Sequence, residues 1–280
     1  MLVLLQELRS ALAHELAIQG PYVPIAATPA AGVAAPAPSV FRSNTGSSPL
    51  EEADAPMPTT DLFGNEMDPA EDPTLPPYER IAALIPENSP LRSFNTLAEV
   101  EQYVNDTVLI PLDKTRLNAV FGVGNPQADL MIIGEAPGAD EDRKGEPFVG
   151  RAGQLLNKIL EAVGFQREDV YIANILKSRP PGNRDPEPEE VQAHIPILYK
   201  QIALIQPKLL LCVGKTAGNS LLGKRSSLAA LRGKFHDFYG LPVMATYHPA
   251  ALLRNPQWKR PTWDDVKLLR AHYDNLVGQS

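Results

Sequence analysis

Four short apolar runs set the tightest limit on what this chain can fold into: "ADLMIIG" (128–134), "DVYIANIL" (169–176), "PKLLLCVG" (207–214) and "LPVMATYHP" (241–249). Each reads as a buried strand. The first three are each followed by a loop and an amphipathic stretch, "GRAGQLLNKILEAVGF", "PEEVQAHIPILYKQIALIQ" and "KTAGNSLLG". Alternation of this kind predicts βα units, and right-handed crossovers then give an α/β fold with a central parallel sheet of about four strands and helices on both faces. A last helix, "TWDDVKLLRAHYDNLV" (262–277), is expected to cover the sheet. In open sheets of this class ligands bind beyond the carboxyl ends of the strands, so the chemistry belongs in the residues just after each run.

The front of the chain is built differently. Residues 1–90 hold 14 of the 28 prolines, and residues 1–106 carry 15 acidic against 4 basic side chains. From 107 to 280 there are 22 Lys and Arg against 18 Asp and Glu, so the overall charge of −7 conceals a mildly basic C-terminal body, as expected of a phosphate-backbone binder. Leu2, Leu5, Leu8, Leu12 and Leu16 recur at helical spacing, predicting an amphipathic helix over 1–20 that either packs on the body or docks to a protein partner. Its opening lacks a basic segment and is interrupted by Glu7, Arg9 and Glu15, which argues against a signal peptide or a membrane span. Residues 21–90, rich in Pro, Ala and acid, are expected to be a disordered linker, and 91–280 the catalytic domain. The single cysteine, Cys212, lies in an apolar run and reads as a small core residue.

After the first run comes "GEAPGADEDRKGEPFVGRAG" (134–153), whose glycines let backbone approach a ligand closely. Such a loop alone fits many phosphate or nucleotide sites. Glu135 at the strand exit and Phe148 in "PFVG" add a carboxylate beside an aromatic ring, a layout for charge stabilisation next to a stacked ring. After the second run stands Asn174, a turn former or an amide offering donor and acceptor to a pyrimidine edge, and then the rigid loop "KSRPPGNRDPEPEE" (177–190). After the fourth comes "TYHPAALLR" (246–254), with His248 a structural residue or a donor to an anionic oxygen.

The segments "GEAPGADEDRKGEPFVGRAG", "NILKSRPPGNRDPEPEEV" and "YHPAALLR" resemble, in the same order, the three diagnostic motifs of the family-4 uracil-DNA glycosylases. The resemblance covers roughly residues 107–277, and it implies a three-layer α/β/α sandwich. It implies that Phe148 stacks on a flipped uracil, with Gly134 and Ala136 beside the base. Asn174 would pair with the polar edge of uracil and reject cytosine, and His248 would donate to uracil O2 as the glycosidic bond breaks. Glu135 would stabilise the cationic sugar or position water, with Glu141 and Asn183 supporting it. Arg179, Arg184, Leu252 and Arg254 would face DNA, the last two on the segment that enters the duplex.

One departure from the family stands out. Its members hold a [4Fe-4S] cluster on four cysteines, whose positions here read Thr107, Ile110, Ser178 and His194. None can be a thiolate, so no cofactor is expected, and the prolines and packing of the loop are expected to hold it instead. The resemblance thus implies a repair glycosylase that releases uracil from DNA, expected to be monomeric, cytoplasmic and nucleoid-associated, with no membrane association. The alternatives are an inactive DNA-binding paralogue and an unrelated nucleotide-binding α/β protein.

Overall fold

A computed structural model describes residues 68–278. The expected helix over 1–20 and most of the expected linker lie outside the described residues. Helix α1 (Pro77–Ala83) starts on a proline, whose fixed φ suits the first helical turn. A short 3-10 turn (Pro90–Ser93) leads to α2 (Leu97–Asp106), which carries a full capping box: the Thr96 hydroxyl accepts from Glu99 N–H, and the Glu99 carboxylate accepts from Thr96 N–H. A second 3-10 turn (Pro111–Lys114) precedes strand β1 (Val123–Gly124).

From there the expected alternation appears: β2 (Leu130–Gly134), α3 (Ala139–Lys144), α4 (Arg151–Ala162), β3 (Tyr171–Asn174), α5 (Pro188–Ile205), β4 (Leu209–Val213), α6 (Lys215–Leu222), α7 (Leu228–Leu231), β5 (Phe235–Phe238), β6 (Leu241–Thr246), α8 (Pro249–Arg254) and α9 (Lys259–Val277). The sheet has six strands in the order β1-β3-β2-β4-β6-β5. Its four inner strands are the four apolar runs and run parallel; β1 and β5 close the two edges antiparallel. Every residue of β2, β3 and β4 is buried, because helices cover both faces.

Alternation along the strands sorts the two layers. Met131 and Ile133 of β2 join Leu198, Ile202 and Ile205 of α5 and Leu221 of α6. Leu130 and Ile132 join Leu156 and Leu160 of α4 and Leu269 of α9 on the opposite face. Since β2 leads to β3 on one side and the chain then returns through α5 to β4 on the other, the strand order reverses beside β2, which is where an open α/β sheet leaves a crevice.

Residues 77–90 were expected in the linker, but α1 packs on α5, with Ile81 and Ile85 fully buried and the Tyr78 hydroxyl donating to the carbonyls of Gln206 and Pro207. These few apolar residues suffice because α5 supplies a ready surface. The folded body therefore begins well before residue 91.

Candidate active site

At the carboxyl ends of the parallel strands lies a cleft of about 370 Å³, lined from β2, β3, the loop after β3 and α8. Phe148 forms one wall. Its backbone is left-handed (φ 52°), a conformation that costs a bulky residue on the order of 1–3 kcal/mol and persists only where neighbours enforce it. Those neighbours are visible. Arg167 donates to the carbonyls of Pro147 (2.6 Å) and Phe148 (3.3 Å), and Glu141 accepts from the N–H groups of Val149 (3.0 Å) and Gly150 (2.9 Å). Gly153 is required by the same turn, since a Cβ there would sit 1.7 Å from the Phe148 carbonyl oxygen. Gly134 leaves the room in which Phe148 meets Asn174: its Cβ would lie 2.7 Å from the Phe148 ring and 2.2 Å from Asn174 Oδ1.

Asn174 ends β3 and is 1 % exposed, yet its Oδ1 accepts no hydrogen bond from any described residue. An acceptor left unpaired in a buried place costs about 1–3 kcal/mol, so a donor that enters the cleft gains by meeting it. The residue is held by its backbone. Lys177 Nζ donates to the Asn174 carbonyl (2.8 Å) and to Gln201 Oε1 (2.7 Å), and complete burial pushes the Lys177 amine down to about 7.

His248 caps α8: its Nδ1 accepts from Ala250 N–H at 3.1 Å. That bond leaves the ring proton on Nε2, making the free nitrogen a donor. Burial, reinforced by the nearby Arg254 charge, pushes the imidazole down to about 4, so it is neutral at pH 7. Its ring lies 5.5 Å from that of Phe148. Glu135, at the exit of β2, has its carboxyl raised above the ordinary range by burial, opposed by a hydrogen bond from Thr216 and assisted by the negative charge of Asp185. The cleft thus joins an aromatic wall, an unpaired acceptor, a neutral donor and a carboxylate, which together can hold a planar heterocycle with an N–H edge and stabilise negative charge on it as it departs.

Residues 121–267 match the family described as the uracil DNA glycosylase superfamily. The type-4 uracil-DNA glycosylase of Archaeoglobus fulgidus is 44% identical over 164 residues, covering 56% of this chain and 82% of that protein. The type-4 enzyme of Thermotoga maritima is 44% identical over 158 residues, again covering 56% and 82%. The type-5 enzyme of Thermus thermophilus is 30% identical over 151 residues, covering 46% and 68%. The chain belongs to the uracil-DNA glycosylase superfamily.

Of the residues expected at the site of this superfamily member, Glu135, Ala136, Glu141, Phe148, Asn174, Asn183, Arg184, His248 and Arg254 line the one cleft. Several have other partners than expected. Glu141, expected among the catalytic groups, has both carboxylate oxygens engaged by backbone, Oε1 as above and Oε2 by Gly138 N–H (3.1 Å), so it braces the loop around Phe148. Arg184, expected to face DNA, grips Glu190 with both terminal nitrogens (2.6 and 2.9 Å) and ties the loop to the start of α5. Arg179 donates through Nε to Asn183 Oδ1 (2.8 Å), fixing a residue that is itself left-handed. Leu252, expected to face DNA, is 1 % exposed, whereas the adjacent Leu253 is 42 % exposed: the turn of α8 sends Leu252 inward and Leu253 outward.

Sequence reasoning missed Thr216, Lys177 and Asp185. Thr216 follows β4, a strand end from which no site residue was drawn, and position after a strand was the signal that could have found it. Lys177 opens the charged, proline-rich loop in the sequence, and the structure buries it completely.

The four cluster positions do not fit a [4Fe-4S] group. Ile110 has no donor atom, Ser178 and His194 are buried and hydrogen-bonded to protein groups, and the Arg116 guanidinium contacts Ser178. Among the described residues no group of three or more His, Cys, Asp or Glu side chains is placed to hold a metal ion. Cys212 is buried in β4, its thiol pushed up to about 12 by burial.

Proposed function

We propose that the chain hydrolyses the N-glycosidic bond of deoxyuridine in DNA, releasing uracil and leaving an abasic site. The observation that carries this reading is that Asn174, a residue lining the cleft close to Gly134, has an Oδ1 with no partner among the described residues. Uracil N3–H supplies the missing donor. Cytosine brings a lone pair to the same place and an amine where uracil has O4, so it leaves the acceptor unpaired and is rejected. A base can reach this cleft only when rotated out of the stack.

In the bound complex Phe148 stacks on the base and His248 Nε2–H donates to uracil O2. As the C1′–N1 bond breaks, its electron pair passes to the base and negative charge gathers on O2, where a neutral donor stabilises it without giving up its proton. Glu135 faces the positive charge developing on the sugar and orients the water whose oxygen bonds to C1′. That water's proton is passed on to the carboxylate or to solvent. Leu253 fills the space left in the duplex, and Arg254 accompanies it towards the backbone. Thr216 is a positioning residue for Glu135, and Glu141 one for Phe148.

The reaction needs no iron-sulfur group in this reading, and the protein acts as a monomer on DNA in the cytoplasm, associated with the nucleoid. No described helix is long and apolar enough to cross a membrane. A protein partner for residues 1–20 is a further expectation. The test of the whole reading is uracil release from a single-uracil oligonucleotide by purified protein. Release of uracil with an intact abasic strand, and none from the cytosine control, is the expected result; no release from either single- or double-stranded substrate refutes the assignment.

A further inference from the structure

Three segments distant in sequence converge on one carboxylate. Asp113, buried in the 3-10 turn Pro111–Lys114, accepts at Oδ1 from the Ser178 hydroxyl (2.5 Å) and from His194 Nε2 (3.0 Å) of α5. Its Oδ2 accepts from Leu109 N–H (2.8 Å) and Ile110 N–H (3.1 Å). The tautomer of His194 follows from the other ring nitrogen, Nδ1, which accepts from Lys177 N–H at 3.0 Å and leaves the proton on Nε2. Arg116 completes the set: Nη1 donates to Ser178 Oγ (3.1 Å) and lies 3.5 Å from Asp113 Oδ1, while Nη2 donates to the carbonyls of Val104 and Thr107. Burial would raise the Asp113 carboxyl, but hydrogen bonds from His194 and Ser178 outweigh it and hold the group well below the usual carboxylate range.

Side chains at two of the four cluster positions, Ser178 and His194, and the backbone at the other two, Thr107 and Ile110, all take part in this network. The bonds therefore join the same three pieces of chain that a cluster on those positions would join: the 107–110 segment, the neck of the loop after β3, and α5. They hold Lys177 and Ser178, where the loop leaves the sheet, and the Arg184–Glu190 pair holds its other end. Between these anchors lie Pro180 and Asn183, which line the cleft.

We infer that the Asp113–Ser178–His194–Arg116 network takes the place of the iron-sulfur cluster as the clamp of the loop spanning 178–187, and that these four are positioning residues for uracil release. The inference rests on the function proposed above. Its physical content is that a metal-free, fully paired polar centre does the mechanical work of four metal–thiolate bonds. Such a centre is stable only when each member keeps its partner, because one deletion strands the rest in a dry interior.

The test uses the full chain and two independent measurements. Hydrogen exchange should quicken on the order of tenfold or more at amides of 178–187 in Asp113→Asn and His194→Leu, with β2 and β4 still protected. Asn at 113 turns a donor towards the N–H groups of Leu109 or Ile110, and Leu at 194 removes both bonds. His194→Gln, which can accept from Lys177 N–H and donate to Asp113, should keep slow exchange. In the same variants kcat/KM for uracil release should fall on the order of 10- to 100-fold, chiefly through KM, and recover in His194→Gln. Ser178→Ala, the mildest change, keeps the test decisive should the others not fold. Natural loop exchange in Ser178→Ala, or in Asp113→Asn where it folds, overturns the inference, and so does stoichiometric iron and sulfide in the natural protein. A natural chain that releases no uracil but shows the predicted exchange pattern overturns the function and leaves the clamp standing.

Discussion

Under the proposed function, Asn174→Ala and His248→Ala would each remove one polar contact to the base while sparing contacts to phosphate. Uracil release should fall about 10²- to 10³-fold in either, with DNA binding largely kept, because phosphate contacts dominate affinity; parallel loss of binding and cleavage in folded variants would argue against these roles. The pH dependence separates the two titrating groups. His248 folds with its imidazole near 4, below the ordinary 6.5, so the unfolded chain binds the extra proton first. Its contribution to stability is complete above about pH 6.5 and is lost as pH falls from there towards 4. Activity should consequently show no limb near 6.5; the acid limb is expected from Glu135, whose carboxyl is raised above the ordinary carboxylate range by burial. A profile of kcat/KM against pH for the natural chain and Glu135→Gln checks this, and an unchanged limb in the variant removes the assignment. Asn174 and His248 were legible because each stands at the end of an apolar run, where a polar side chain has few structural reasons to be. Thr216 was not, since a threonine in the first turn of a helix has an ordinary reason for being there.

Among the elements, α8 makes a sharp distinction between neighbours. Leu252→Ala opens a cavity in a packed interface and should cost about 2–5 kcal/mol of stability, read as a lower melting temperature. Leu253→Ala should leave stability nearly unchanged and instead slow release from duplex DNA more than from single strands; equal effects on the two substrates would deny it a role in the duplex. One spacing in the sequence could not tell the two leucines apart, because which one faces inward depends on where α8 begins, and that is set by the cap on His248. The inner strands were readable from the length and apolar make-up of their runs. The edge strands β1 and β5 were not: β1 has two residues, and β5 is half-exposed along most of its length, so neither carries an apolar run.

For the molecule as a whole, the boundary moves with α1. Removing residues 1–67 should leave a folded, active body, whereas removing 1–90 strips Ile81 and Ile85 from α5 and should lower the melting temperature markedly. Residues 1–67 also carry 7 acidic against 2 basic side chains. Their removal should tighten DNA binding at low salt, with the gain fading as screening increases. Fluorescence titrations across a salt series read this, and unchanged low-salt affinity would show that the segment does not oppose DNA. The Asn174 oxygen that no described residue satisfies has a thermodynamic corollary for the resting protein. A free nucleobase offering an N–H at that point supplies this oxygen with a partner, so unattached uracil, the leaving product itself, should act as a stabilising ligand and a competitive inhibitor. The feature that selects the substrate would then also slow turnover, because the base is held after the bond to it has gone.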